Sequence, residues 1–175
     1  AISEQVIELP SGWSLFSTYM LTEDMDLASM LSDIYPEIII VKDNLGWAYL
    51  PEWNFNGISE MQVGQGYQIK LNNASTLVIE GAHMLPEENP ITLTEGWNMF
   101  GYLRSEPSDV IAVFADIVDH VVIVKNGVGF AYLPEWDFNG IEAIEPGQGY
   151  QTKMSSTQIL NYLANDQEYR LSMSP

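Results

Sequence analysis

The feature that most constrains the fold of this chain is an internal duplication, in which two halves of the sequence align at an offset of about 83 residues. The motif Ala-Tyr-Leu-Pro-Glu-Trp at residues 48–53 returns at residues 131–136. Two further motifs, Phe-Asn-Gly-Ile and Gly-Gln-Gly-Tyr-Gln, recur at residues 55–58, 64–68, 138–141 and 147–151. Repetition at this period indicates one supersecondary unit made twice. We therefore predict a first copy at residues 1–82, a connector at 83–90, and a second copy with a C-terminal extension at 91–175.

Each copy predicts a short series of strands around one helix. The helix is indicated by apolar residues at positions i, i+3, i+4 and i+7 of both copies: Leu27, Met30, Leu31 and Ile34, then Val110, Val113, Phe114 and Ile117. Asp26 is suited to cap the first helix, and Pro107 together with Ser108 or Asp109 supplies the start signal of the second. The β-branched runs at residues 37–41 and 120–124 predict buried central strands.

Turns and unit size complete the predicted fold. Asp43-Asn44 and Asn126-Gly127 tolerate a positive φ and predict hairpin turns after the central strands. A last strand is predicted through residues 169–171. Because a unit of about 80 residues is small for independent stability, we expect the two copies to pack as one unit around a pseudo-two-fold axis. The predicted fold class is α+β, mostly antiparallel β, with two tandem copies of a small ββαβββ-like unit.

The charge balance limits the partners of the chain. It contains 24 acidic and 6 basic residues, for a formal net charge of −18 at pH 7. Such a surface repels the phosphates of nucleic acids and of anionic membranes, so we exclude both as partners. The chain has no cysteine, and His83 and His120 occupy unmatched positions in the two copies. We therefore predict no metal site and no cofactor.

Repeated charged residues form one candidate group. Glu52 and Glu135 recur in the same Leu-Pro-Glu-Trp context, and paired carboxylates of this kind are found in hydrolases. The alternative is a structural role in which the glutamates bind nearby backbone or lysine side chains. Four of the six basic residues also occupy matching positions, namely Lys42, Lys125, Lys70 and Lys153. We expect these lysines to neutralise the repeated acids, with Glu52 and Glu135 as their partners.

Aromatic residues form the second candidate group. Trp13 and Trp97 follow a glycine at the start of an apolar stretch, and we expect both in the core. The candidate binding residues lie instead near predicted turns, where aromatic side chains can stack on sugars or anchor a protein interface. They are Trp47, Trp53, Phe130 and Trp136. Packing against the end of a small sheet is the alternative for all four side chains.

The repeated motifs resemble a module found in extracellular proteins of marine bacteria and in structural proteins of marine phages. The resemblance is carried by Gly-Trp-Asn-Met-Phe-Gly-Tyr at residues 96–102, Val-Val-Ile-Val-Lys at 121–125, and the motifs of the duplicated blocks. It implies a non-enzymatic structural or recognition role, extracellular or virion-associated, on a protein or glycan surface. The alternatives are a carbohydrate-binding module that uses the loop aromatics and a carboxylate-dependent hydrolase.

Overall fold

The computed structural model of this protein describes residues 2–169 as antiparallel sheets with a few short helices. The strands of the first half are β1 (Ser3–Leu9), β2 (Gly12–Phe16), β3 (Met20–Leu21), β4 (Ile38–Lys42), β5 (Ala48–Leu50), β6 (Phe55–Asn56), β7 (Tyr67–Leu71) and β8 (Ser75–His83). Those of the second half are β9 (Ile91–Leu93), β10 (Gly96–Gly101), β11 (Ser108–Asp109), β12 (Val121–Lys125), β13 (Ala131–Leu133), β14 (Phe138–Asn139), β15 (Ala143–Ile144), β16 (Gly149–Met154) and β17 (Gln158–Leu160).

The helical segments are short. The α-helices are α1 (Leu27–Met30) and α2 (Val110–Phe114). The 3-10 segments are Ser32–Glu37, Pro51–Trp53, Pro86–Glu88, Ala115–His120 and Pro134–Trp136. The predicted mostly antiparallel β architecture with short helices is confirmed. The strand predicted at residues 169–171 falls mainly outside the described residues, and Tyr169, the one described residue of that stretch, is not in a strand.

Each half contains a five-stranded sheet with the same strand order. The order is β2-β7-β4-β5-β6 in the first half and β10-β16-β12-β13-β14 in the second. Both sheets carry a register shift at the same place in the central strand, between Ile38 and Ile40 and between Val121 and Ile123. One face of each sheet covers its own hydrophobic core, and Tyr19 packs against both cores. A three-stranded sheet, β1-β8-β3, adds to the first half, and the pairs β9-β17 and β11-β15 add to the second.

The helices begin where the sequence predicts but are shorter than the apolar spacing indicates. Asp26 accepts a hydrogen bond from the Ser29 backbone N–H at 3.0 Å, and Asp109 accepts one from the Ala112 N–H at 3.0 Å. The predicted N-cap at Asp26 is therefore confirmed, and of the two candidates at the second helix Asp109 is the cap. In both halves the chain then tightens to 3-10 geometry, over Ser32–Glu37 and Ala115–His120. The apolar positions still face the core.

The hairpin turns lie where predicted, but a different residue takes the positive φ. Gly46 and Gly129 adopt φ values of +90° and +99°. Asp43 Oδ1 accepts hydrogen bonds from the N–H groups of Leu45 and Trp47, at 3.0 and 2.8 Å. Asn126 holds the second turn in the same way. The Asp and Asn side chains thus close these turns by capping backbone N–H groups, while the glycines adopt the left-handed conformation.

The two halves contact each other by matched backbone hydrogen bonds. The Ser17 N–H donates to the Gly147 carbonyl at 3.0 Å, and the Gly101 N–H donates to the Gly64 carbonyl at 2.9 Å. These contacts flank isolated β-bridges that join Phe16 to Gln148 and Gln65 to Phe100. Each half thereby adds a short length of backbone to the edge strand of the other half.

Glycine at positions 66 and 149 permits this approach. A Cβ atom on Gly66 would lie 2.8 Å from the Phe100 carbonyl oxygen and 2.9 Å from its nitrogen. A Cβ on Gly149 would lie 2.9 Å from both the nitrogen and the oxygen of Phe16. Because backbone atoms at an interface cannot shift independently, any side chain here would push the halves apart.

We predict that Gly66→Ala and Gly149→Ala each lower the free energy of unfolding by about 2 kcal/mol or more, in the range expected for overpacking. The matched control is Gly46→Ala. Its Cβ meets nothing within 4 Å but its φ is +90°, so it should cost only about 1 kcal/mol of backbone strain. Urea denaturation measures all three. Equal losses for Gly66→Ala and Gly46→Ala would contradict the proposed steric cause.

Buried tyrosines in the second half predict sensitivity to alkali. Burial raises the pKa of Tyr102 to about 12 and the pKa values of Tyr150 and Tyr162 above the usual value of 10. The phenols therefore remain neutral in the folded chain at pH values where they ionise in the unfolded chain. Their contribution to stability is complete below pH 10 and is lost as the pH rises from 10 towards 12. We expect the 295 nm absorbance of these three tyrosines to appear only together with loss of the far-ultraviolet circular dichroism. Their ionisation near pH 10 in a folded chain would contradict this expectation.

Candidate functional site

Exposed aromatic residues lie on the turn that follows the hairpin of each sheet. In the first half β5 ends before Pro51, a 3-10 turn carries Trp53, and Asn54 at φ +50° returns the chain into β6. Asp137 at φ +52° does the same in the second half. No residue of the range 2–169 covers either turn, and Trp53 and Trp136 are 76% and 75% exposed.

A phenylalanine accompanies each of these tryptophans. Phe55 and Phe138 follow directly in β6 and β14 and are about half exposed. A Cβ on Gly57 would lie 3.1 Å from the Phe55 ring, which shows that this ring rests against the glycine backbone. We name the pair Trp53 and Phe55 the first aromatic corner, and Trp136 and Phe138 the second aromatic corner. Sequence analysis missed the two phenylalanines, although their place in the repeated Phe-Asn-Gly-Ile motif marks them.

The other two predicted binding residues lie at the opposite end of the hairpins. Trp47 and Phe130 precede β5 and β13 and are 56% and 57% exposed. A strand of three residues extends about 10 Å, so Trp47 and Trp53 occupy different ends of β5. Trp47 instead lines a cavity of about 390 Å³ with Asp43 and Tyr67. All four predicted aromatic residues are therefore exposed, but each sheet presents them at two separate places.

The core position expected for Trp13 and Trp97 is wrong. These side chains are 48% and 52% exposed and lie on the outer face of their sheets, which we define as the face opposite the core. The physical reason is the alternation of side chains along a strand, which places Phe16 on the core side and Trp13 on the other side. Trp13 pairs with Lys70 across β2 and β7, and Trp97 pairs with Lys153 across β10 and β16.

The expected pairing of the repeated lysines with Glu52 and Glu135 is also wrong. The ammonium groups of Lys42 and Lys70 lie 5.6 and 5.8 Å from the centre of the Trp13 ring. The ammonium group of Lys125 lies 5.7 Å from the Trp97 ring. Strand register decides this outcome, because it places the lysines beside tryptophan on the outer face, where a cation is attracted to the aromatic ring.

The two glutamates do not form a shared site. Each lies on an exposed 3-10 turn next to the edge strand β6 or β14 of its own sheet. The halves meet instead through β2 and β10, at the opposite edge of each sheet. Within residues 2–169, neither Glu52 nor Glu135 accepts a side-chain hydrogen bond or pairs with a lysine. The acid and base of a paired-carboxylate hydrolase require about 5–9.5 Å between carboxyl groups, and this arrangement provides no such cleft.

A cavity of about 220 Å³ lies between the two halves. The first half contributes Trp13, Leu15 and Gln68, and the second contributes Lys125, Gly127 and Gln151. No carboxylate lines this cavity, whereas the chain as a whole is strongly acidic. The lining therefore combines a lysine with a tryptophan and contains no acidic side chain.

Arg104 is a buried cation that sequence analysis missed. Its side chain is only 4% exposed, and its guanidinium donates to the hydroxyl of Ser108 and to the carbonyls of Ala164 and Gln167. The guanidinium also lies 5.1 Å from the Tyr169 ring. Arg104 therefore attaches the C-terminal segment to the second half, and Met20 occupies the corresponding position in the first half.

Within the described part of the chain, no group of acidic, histidine or cysteine side chains is placed to hold a metal ion. The helices of residues 2–169 include none with the length and apolar character of a membrane span. Comparison of the chain with protein-family models, with curated proteins and with solved structures gives no match. The resemblance to the marine surface and phage module therefore stays a prediction.

Within residues 2–169 the carboxylates of Glu52 and Glu135 neither accept a side-chain hydrogen bond nor pair with a lysine. We therefore predict that Glu52→Gln and Glu135→Gln change the free energy of unfolding by less than about 0.5 kcal/mol. Asp43→Ala serves as the comparison. It removes two hydrogen bonds to backbone N–H groups and should cost about 1–2 kcal/mol. Thermal denaturation distinguishes the two cases. If Glu52→Gln lowers the free energy of unfolding as much as Asp43→Ala does, the prediction is wrong and the glutamates stabilise the fold.

Proposed function

We propose that this chain is a non-enzymatic recognition module of an extracellular or virion-associated protein. The single observation that supports the proposal is the repetition of an exposed aromatic corner in both halves. A tryptophan that is three quarters exposed on a closed turn in each half is costly to keep in water. Its recurrence in a corresponding place is typical of a contact surface.

We propose further that the halves are two tandem copies of a ββαβββ-like unit related by a pseudo-two-fold axis. The identical strand order of the two five-stranded sheets supports this relation. So does the contact between Ser17 and Gly101, which occupy equivalent positions in the repeat: a Cβ on Gly101 would lie 2.5 Å from the Ser17 Cβ. Equivalent residues touch each other only beside a two-fold axis. The proposed symmetry gives the module two equivalent aromatic corners.

A glycan surface is the partner class that the aromatic corners favour. Tryptophan and phenylalanine present flat apolar faces on which the C–H groups of a sugar ring can stack, and each ring buries 150–250 Å² when covered. Two corners on one rigid body also raise weak affinities by about 10²–10⁴ through effective concentration, provided that one polymer reaches both. A protein surface is the alternative partner, since exposed tryptophans anchor protein interfaces equally well.

The test is substitution of the corner tryptophans, alone and together. We predict that Trp53→Ala and Trp136→Ala each weaken binding to an array of polysaccharides about tenfold, and that the double variant loses at least about a hundredfold because bivalent binding is abolished. Tyr35→Ala is the matched control, since Tyr35 is 50% exposed but lies outside the corners and has no aromatic counterpart. Unchanged binding by the double variant, or no glycan binding by the native chain, would overturn the glycan assignment. Retention of a protein partner by the double variant would overturn the recognition role of the corners.

A further inference from the structure

We propose that the cavity between the two halves binds a carboxylate-bearing sugar ring, such as a uronate unit of an acidic polysaccharide. This site is separate from the aromatic corners and does not depend on them. Four observations carry the proposal. The halves differ at the tips of their hairpins, and the backbone N–H of Leu15 lacks the side-chain acceptor that the equivalent N–H of Met99 has. The cavity is also lined by a lysine and by a tryptophan.

The asymmetry arises at the tips of the two hairpins. Asn44, in the first hairpin, accepts a hydrogen bond through Oδ1 from the backbone N–H of Met99 at 2.7 Å. The equivalent residue in the second hairpin is Gly127, which faces Leu15, the equivalent of Met99. A Cβ on Gly127 would lie 3.1 Å from the Leu15 nitrogen. The carboxamide of Asn44 therefore occupies the space beside Met99, whereas Gly127 and Leu15 line a cavity.

Leu15 lines the cavity, and among residues 2–169 no side chain accepts a hydrogen bond from its N–H. Leu15 pairs with Gln68 in the same register in which Met99 pairs with Gln151, so the two N–H groups point away from their sheets in the same way. In one half an amide oxygen occupies the position in front of this donor. In the other half, Gly127 has no side chain and so provides no side-chain acceptor for the Leu15 N–H. An oxygen atom of a ligand can occupy the corresponding position in front of Leu15.

Charge selects an anionic ligand. Lys125 lines the cavity, and the ammonium groups of Lys42 and Lys70 lie within 6 Å of the Trp13 ring that forms the facing wall. No carboxylate lies in the lining. The local charge is therefore positive although the net charge of the chain is −18.

The remaining lining fits a sugar ring. Trp13 is half exposed and offers an apolar face, while the amides of Gln68 and Gln151 provide hydrogen-bond donors and acceptors for hydroxyl groups. A volume of about 220 Å³ is below that of sites for drug-sized ligands and suits one ring. Aromatic wall, amides and a cation together recognise a ring that carries both hydroxyls and a carboxylate.

The experiment is titration of the ¹⁵N-labelled full chain with sodium galacturonate and, separately, with galactose. We expect galacturonate to shift the Leu15 amide resonance and to bind at least about tenfold more tightly than galactose, since a charge-assisted hydrogen bond to lysine is lost with the neutral sugar. Sodium acetate tests whether the carboxylate alone is sufficient. We expect acetate to bind more weakly than galacturonate, because it contacts neither the tryptophan nor the amides.

Two variants test the assignment. Gly127→Asn should place a carboxamide on the Leu15 N–H, as Asn44 does on Met99, and lower galacturonate affinity at least about tenfold. Gly127 does not occupy the left-handed region, so asparagine is compatible with its backbone. Lys125→Gln should lower affinity to a similar extent. Lys153→Gln is the matched control: Lys153 lies on the same outer face but outside the cavity lining, and its loss should change affinity less than about twofold.

Several results would overturn the proposal. They are no binding of galacturonate by the native chain, equal affinity for galactose or acetate, unchanged affinity in Gly127→Asn with a native amide spectrum, and binding of an acidic peptide in place of galacturonate. If Gly127→Asn does not fold, the galacturonate affinities of Lys125→Gln and Lys153→Gln are compared. Equal affinities of these two variants would overturn the proposal. Failure here is distinguishable from failure of the aromatic corners, because Trp53→Ala and Trp136→Ala leave the cavity lining intact.

Discussion

The approach of one backbone to another between the halves is the constraint on which the rest of the structure depends. Gly66 and Gly149 lie so close to Phe100 and Phe16 that a single Cβ atom would overlap backbone atoms of the other half. With glycine at both places, each edge strand gains a bridge from the other half. The same approach places each hairpin tip against the facing strand. The position of the cavity between the halves therefore follows from these two glycines.

Some of the differences between the halves lie where they touch. Ser17 and Gly101 occupy equivalent positions, yet only one side chain fits, and the Ser17 hydroxyl fills the space by donating to the Gln148 carbonyl at 2.6 Å and accepting from the Tyr102 N–H at 3.2 Å. Asn44 and Gly127 differ in the same region. In contrast, Trp53 and Trp136 face water in the same surroundings and have the same exposure. At these two positions, the contact between the halves surrounds matching positions of the sequence repeat differently.

The outer faces of the sheets concentrate positive charge in a chain that has little of it. Three of its six basic residues place their ammonium groups within 6 Å of Trp13 or Trp97. The aliphatic stem of lysine covers apolar ring surface while its charge remains in water, which explains how these tryptophans stay half exposed. The result is a local concentration of positive charge on the outer faces of the sheets.

The amino-acid sequence by itself determined the repeat, the positions of most strands, and the start of each helix close to Asp26 and Asp109. These features depend on local periodicity, on capping and turn chemistry, and on residues within a few positions of each other. Tertiary structure alone decided that Trp13 and Trp97 lie on the outer face and that the lysines contact tryptophan instead of glutamate. It also decided that Asn44 binds the backbone of the facing strand while Gly127 lines a cavity. Strand register and the contact between the halves set these outcomes, and both join residues far apart in the chain, where spacing along the sequence carries no information.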